Sequence, residues 1–121
     1  MLSLKEILKV YKDNLKVLPT ISNKGWALDV YSPISFTLTP GCHIKLPAGF
    51  GLELPEGIGG IISPKNSSRS HFSVSPGQLI HPEFTGELSI NLIYHGRSED
   101  MISEGDSLCQ IVFFNTLKLG E

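Results

Sequence analysis

Between residues 2 and 11 the apolar positions recur at intervals of three and four: Leu2, Leu4, Ile7, Leu8, Val10 and Tyr11 stand among lysines and a glutamate. That spacing places them on one stripe of a helix. Ser3 followed by Glu6 has the form of a capping box, so the pattern predicts a short amphipathic helix over residues 4–12. Such a stripe packs on the body of its own domain or docks on a neighbouring subunit or partner protein. Beyond Lys16 the pattern changes to short apolar segments punctuated by 8 prolines and 12 glycines, which suits strands joined by tight turns and breaks helices. Strands are predicted at residues 27–31, 34–38, 43–46, 50–54, 59–63, 78–80, 87–94 and 107–114. Their even spacing points to an all-β barrel or jelly roll. Residues 63–75 lack apolar periodicity and are rich in Ser, Lys, Arg and Asn. They read as a loop, with the composition of loops that hold anions.

A length of 121 residues supports one hydrophobic core and hence one domain. The formal charge of -2 supplies no general attraction to nucleic acid or to an anionic membrane, so any phosphate binding is local. Cys42 and Cys109 make neither a disulfide framework nor a metal site by their spacing, and no signal peptide precedes them. The apolar runs are only a few residues long, far short of the ~20 that cross a bilayer. The expectation is a soluble intracellular protein with reduced thiols and no internal repeat.

A series of short motifs then falls in a recognisable order. Leu18-Pro19-Thr20 precedes Ala27-Leu28-Asp29-Val30-Tyr31; Thr39-Pro40-Gly41, the run Lys45 to Phe50, and Leu54-Pro55-Glu56-Gly57 follow. Next come Gly60 to Ser67, Ile80 to Glu87, and Glu104 to Ile111. Together these resemble the homotrimeric dUTP diphosphatases (dUTPases) over roughly residues 16–114. The resemblance implies a dUTPase-like jelly-roll (β-clip) fold, a homotrimer, and hydrolysis of dUTP to dUMP and pyrophosphate with magnesium.

Cleavage at the α-phosphorus needs neutralisation of phosphate charge, an in-line water, and a group that orients or deprotonates it. By resemblance, Asp29 matches the family aspartate that binds the magnesium accompanying the triphosphate, and a hard cation suits a carboxylate. Lys65 stands where the family has an arginine; it keeps the charge and loses the planar fork that grips phosphate in two places. Asn66 and Ser67, with Ser68, fall in the phosphate-clamping loop. Gln110 matches a glutamine that contacts phosphate. Phe84 matches a tyrosine whose ring stacks on the deoxyribose, and a phenyl face can make the same contact.

Three departures run against catalysis. His81 occupies the position of the aspartate that positions the attacking water; an imidazole can accept a proton near neutral pH but differs from a carboxylate in shape and reach. The chain stops at Glu121 without the glycine-rich arm that closes over the triphosphate in active members. Between the second and third motifs, Ser68 to Val74 replaces a longer apolar, alanine-containing segment; Arg69 and His71 either form a new anion contact or face solvent, and solvent is favoured.

Two related branches also bear on the reading. Asn91 replaces the glutamate used by dCTP deaminases, which disfavours deamination. The segment Tyr31 to Phe36 and the turn Tyr94-His95-Gly96 are similar, more loosely, to adenoviral early-region proteins derived from dUTPases and reused for binding host proteins. The sequence therefore supports a diverged, catalytically impaired dUTPase-fold protein that acts by binding a protein partner or a deoxyuridine nucleotide. The alternative is an active, divergent dUTP diphosphatase. The pattern of divergence suggests a viral or phage origin.

Overall fold

The computed structural model describes residues 2–13, 15–65, 72–75 and 78–120. Nearly all of the regular structure is antiparallel β. The strands are β1 (Leu8–Val10), β2 (Thr20–Ser22), β3 (Ala27–Tyr31), β4 (Phe36–Leu38), β5 (His43–Pro47) and β6 (Phe50–Leu52). After these come β7 (Ile58–Pro64), β8 (Phe72–Val74), β9 (Leu79–Ile80), β10 (Ser89–Tyr94), β11 (Asp100–Ile102) and β12 (Ser107–Asn115). One sheet has the order β2-β3-β12-β7-β9 and a second β5-β10-β8, with β1-β6 and β11-β4 as further pairs. This is a jelly roll, one of the two architectures, barrel or jelly roll, to which the strand spacing pointed.

The alternation along the strands explains why the sheets pack. In β12, Leu108, Cys109 and Ile111 are buried, and Ile111 lies level with Leu28 and Ile62 on the neighbouring strands. In β10, Ile90, Leu92 and Tyr94 point inward while Asn91 faces out. With Val30, Leu38, Phe50 and Ile102 they form one contiguous core, the main source of stability in a domain of this size.

The amino-terminal expectation is corrected in part. Half of the capping box forms: the Glu6 carboxylate accepts from the Ser3 amide (3.2 Å) and the Ser3 hydroxyl (3.0 Å), while the Glu6 amide donates to the Ser3 carbonyl (3.1 Å). The helix, α1, is only Leu4–Ile7. Leu8–Val10 instead pairs with Leu52–Phe50, and the amides of Tyr11 and Lys12 both donate to the Gly49 carbonyl (2.8 and 3.0 Å). A nine-residue helix is marginal in water, and the edge of β6 offers backbone partners that outweigh its continuation. Leu4, Ile7 and Leu8 pack against the core, so the segment joins the body of its own domain. The Lys12 ammonium fastens the end of this strap to the Pro33 carbonyl (2.7 Å).

Other boundaries also moved. Residues 34 and 35 lie outside β4: the Ser32 hydroxyl donates to the Ile34 carbonyl (2.6 Å) and the Ser35 hydroxyl accepts from the Glu104 amide (2.8 Å), holding a turn there. Within the expected loop 63–75, Phe72–Val74 is a strand on β10. The strand β11, not expected from the sequence, pairs with β4.

The chain's close approaches are set by glycine. A Cβ on Gly51 would lie 2.1 Å from the Gly86 carbonyl oxygen, so the turn that carries His81 and Phe84 rests directly on the backbone of β6. The Glu87 carboxylate, accepting from the Gly49 amide (2.8 Å), ties the same turn down from its far end.

Candidate functional site

Antiparallel register puts Thr20, Asp29, Gln110 and Ser63 in one row across β2, β3, β12 and β7. Residues opposite one another share a face of the sheet, so the first and fourth motifs, some eighty positions apart in sequence, meet by strand pairing alone. Asp29 is the charged member of the row and is buried. The Lys65 ammonium lies 2.5 Å from Asp29 Oδ2, and the Ser22 hydroxyl donates to Oδ1 (3.2 Å). Beside it the hydroxyls of Thr20 and Tyr31 share a 2.7 Å hydrogen bond.

A buried carboxylate is tolerated when it is paired and hydrogen-bonded, and both oxygens of Asp29 have partners. Its charge reaches the core side of the sheet. Burial first, then the charge of Asp29, pushes the Cys109 thiol up to about 12 from 9.0. The Cys109 thiol is therefore protonated and inert at neutral pH.

The structure places Asp29 beside Lys65 and level with Gln110, and adds Ser22, which sequence reasoning missed, and Ser63, which lay in the second motif without being singled out. Ser22 could have been found from a β2-β3 hairpin pattern, but the lone segment Thr20–Ser22 carries no alternation of its own. Asn66, Ser67, Ser68, Arg69 and His71 lie outside the described residues. Asp29 offers one carboxylate whose oxygens already face Lys65 and Ser22. Among the described residues no group of three or more His, Cys, Asp or Glu side chains could hold a metal ion. The donor set does not fit a magnesium resident on the protein alone, because that ion takes carboxylates together with phosphate oxygens and water.

His81 and Phe84 lie elsewhere. Both are exposed on the turn after β9, where the Phe84 amide donates to the His81 carbonyl (2.9 Å). Ile80 pairs with Gly60 on β7, whereas the Asp29 row crosses β7 at Ser63. Strand geometry then separates His81 from Asp29 by roughly 13 Å along the strands and roughly 14 Å across them. Among the described residues of one chain, Asp29 and His81 do not touch. Next to the turn is a cleft of about 560 Å³, bounded by Lys45, Ser75, Gln78, Phe84, Ser89 and Asn91 among others.

A jelly roll with a polar row on one sheet and an exposed aromatic turn on its edge defines the class, and comparison with known proteins gives the family. The dUTPase family model matches residues 14–120. The chain is 32% identical over 102 residues to the deoxyuridine 5'-triphosphate nucleotidohydrolase of Neorickettsia sennetsu, spanning 78% of this chain and 68% of that protein. It is 31% identical over 102 residues to the same enzyme of Swinepox virus, spanning 83% and 72%. Among solved structures, a dUTPase of Staphylococcus bacteriophage 80alpha superposes with a TM-score of 0.80 at 17% identity, covering 94% of this chain and 92% of that one. The dUTPase of phage phi11 of S. aureus, in which a structural Mg(II) ion is coordinated, gives 0.79 at 20% identity, covering 94% of both. The chain belongs to the dUTPase family.

Proposed function

We propose that this protein binds a deoxyuridine nucleotide at sites shared between the subunits of a homotrimer and hydrolyses it poorly. The observation that carries the reading is the exposed imidazole of His81, at a position where the resemblance to the family implies an aspartate. The turn beneath it is held by Gly51 and Glu87. Losing the base or orienting group of a catalytic site costs ~10² to 10⁴ in rate. Within the proposal, Lys65 and Gln110 contact phosphate, Phe84 stacks on the sugar, and Asp29 sets the position of Lys65. Because one chain keeps His81 far from Asp29, the turn of one subunit meets the polar row of another. An apolar strip on the polar-row sheet supports self-association: Ile61 and Leu79 pair across β7 and β9 and are 40% and 51% exposed.

A second reading, an active divergent dUTP diphosphatase, is favoured by the intact Asp29–Lys65–Gln110 arrangement. In it the His81 imidazole accepts the proton of the attacking water. Pyrophosphate release from dUTP, measured beside calorimetric titration of a non-hydrolysable dUTP analogue, separates the readings. Binding with turnover slower in wild type than in His81→Asp, by at least about tenfold, is the expected result. Turnover in wild type equal to or above that of His81→Asp overturns impairment. Absence of both binding and turnover overturns nucleotide recognition and leaves a fold turned to a protein partner.

A further inference from the structure

The cleft beside Phe84 already contains an amide. β8 ends at Val74, and among the described residues the Ser75 amide makes a further backbone bond to the Asn91 carbonyl (3.0 Å). The side chain of Gln78 bonds the same residue. Its Oε1 accepts from the Asn91 amide (2.8 Å), and its Nε2 donates to the carbonyls of Asn91 (3.1 Å) and Ser75 (2.9 Å). The Gln78 backbone is separately fixed, its carbonyl accepting from Ile62 (2.9 Å). Both protons and the oxygen of the carboxamide are therefore used, and the side chain pairs with the Asn91 backbone as a strand residue would.

A carboxamide set this way presents a carbonyl and an adjacent N–H to the donor and acceptor of one backbone residue. The imide edge of a uracil presents the same pair in the same plane. Asn91 is exposed, so its backbone edge is reachable once the amide leaves. Lys45, Ser89 and the face of Phe84 border the same cleft. Rotation about the Gln78 side-chain bonds frees this edge without disturbing the ladder bond from Ile62.

We propose that Gln78 is an internal competitor for the base: its carboxamide occupies the Asn91 edge, and a nucleobase with adjacent carbonyl and N–H groups binds by displacing it. The inference rests on the nucleotide-binding reading above. Occupancy by Gln78 lowers apparent affinity by the fraction of molecules in which the edge is free. Breaking exposed amide hydrogen bonds of ordinary net strength makes that factor about ten.

The test is calorimetric titration of dUMP into the full chain and into Gln78→Ala and Gln78→Met, together with amide hydrogen exchange at Asn91. Methionine keeps the side-chain volume and removes the hydrogen bonds, so it serves if the alanine variant does not fold. The expected result is dUMP binding about tenfold tighter in the variants, with Asn91 exchange faster in the free variants than in wild type and slowed again by dUMP. Equal affinities in wild type and variants overturn the competitor role and leave nucleotide binding standing. Weaker binding in the variants also overturns it, making Gln78 a ligand. No binding by any form overturns this inference together with the reading it rests on; unchanged Asn91 exchange in the free variants overturns the plug alone.

Discussion

Replacing Lys65 with methionine removes the cation from a carboxylate whose side chain is only 10% exposed, while Lys65 itself is 30% exposed. Stripping one partner from a fully buried ion pair costs about 3 to 5 kcal/mol, because the remaining charge stays desolvated. Here water enters where Lys65 was and the Ser22 hydroxyl still donates to Asp29, so the loss falls to about 2 kcal/mol. Asp29→Asn takes the buried charge away and leaves a lysine that can turn to solvent; its cost is about 1 kcal/mol. The double variant then recovers about 1 kcal/mol relative to the sum of the singles. Urea unfolding of the four proteins at one fixed protein concentration measures each term. For a domain of this size 1 kcal/mol corresponds to about 4 °C in Tm, so Lys65→Met should melt about 8 °C lower. A Lys65→Met loss no larger than that of Asp29→Asn would refute the reasoning, since it would mean that Asp29 is not held as a buried charge by Lys65.

Two further outcomes follow from the packing. Gly51→Ala drives a Cβ into the Gly86 carbonyl and should cost about 3 kcal/mol. Gly41→Ala meets open space at φ +76° and should cost only about 1 kcal/mol; equal urea midpoints would contradict the close approach of the turn to β6. The Cys109 thiol ionises near 9 when unfolded and at about 12 when folded. Above pH 9 the unfolded chain releases this proton and the folded chain keeps it, so stability falls as pH rises through that window, by up to about 1.4 kcal/mol per pH unit. Cys109→Ala should flatten the slope between pH 9 and 10, and in native protein a thiol reagent should label the half-buried Cys42 before Cys109; an unchanged slope would show that Cys109 titrates normally.

Local order determined what the sequence could show. The strands Ala27–Tyr31 and Ser107–Asn115 were legible because alternation and turn residues are properties of adjacent positions. The Ser3–Glu6 capping box was legible for the same reason. Asp29, Lys65 and Gln110 were legible only as matches to family motifs, since nothing local says that three separated residues will meet. Tertiary structure decided the rest through pairing between distant segments. Leu8–Val10 became a strand because the edge of β6 was open, against its own helical spacing. Phe72–Val74 and Asp100–Ile102 became strands because β10 and β4 gave them backbone partners. Register decided that Asp29 lies level with Gln110 and Ser63, where Lys65 pairs with it. It also kept His81 at the opposite end of β7, which a linear motif order cannot reveal. The Gln78 carboxamide was invisible for the same physical reason: its pairing with the Asn91 backbone joins segments that meet only in the folded sheet.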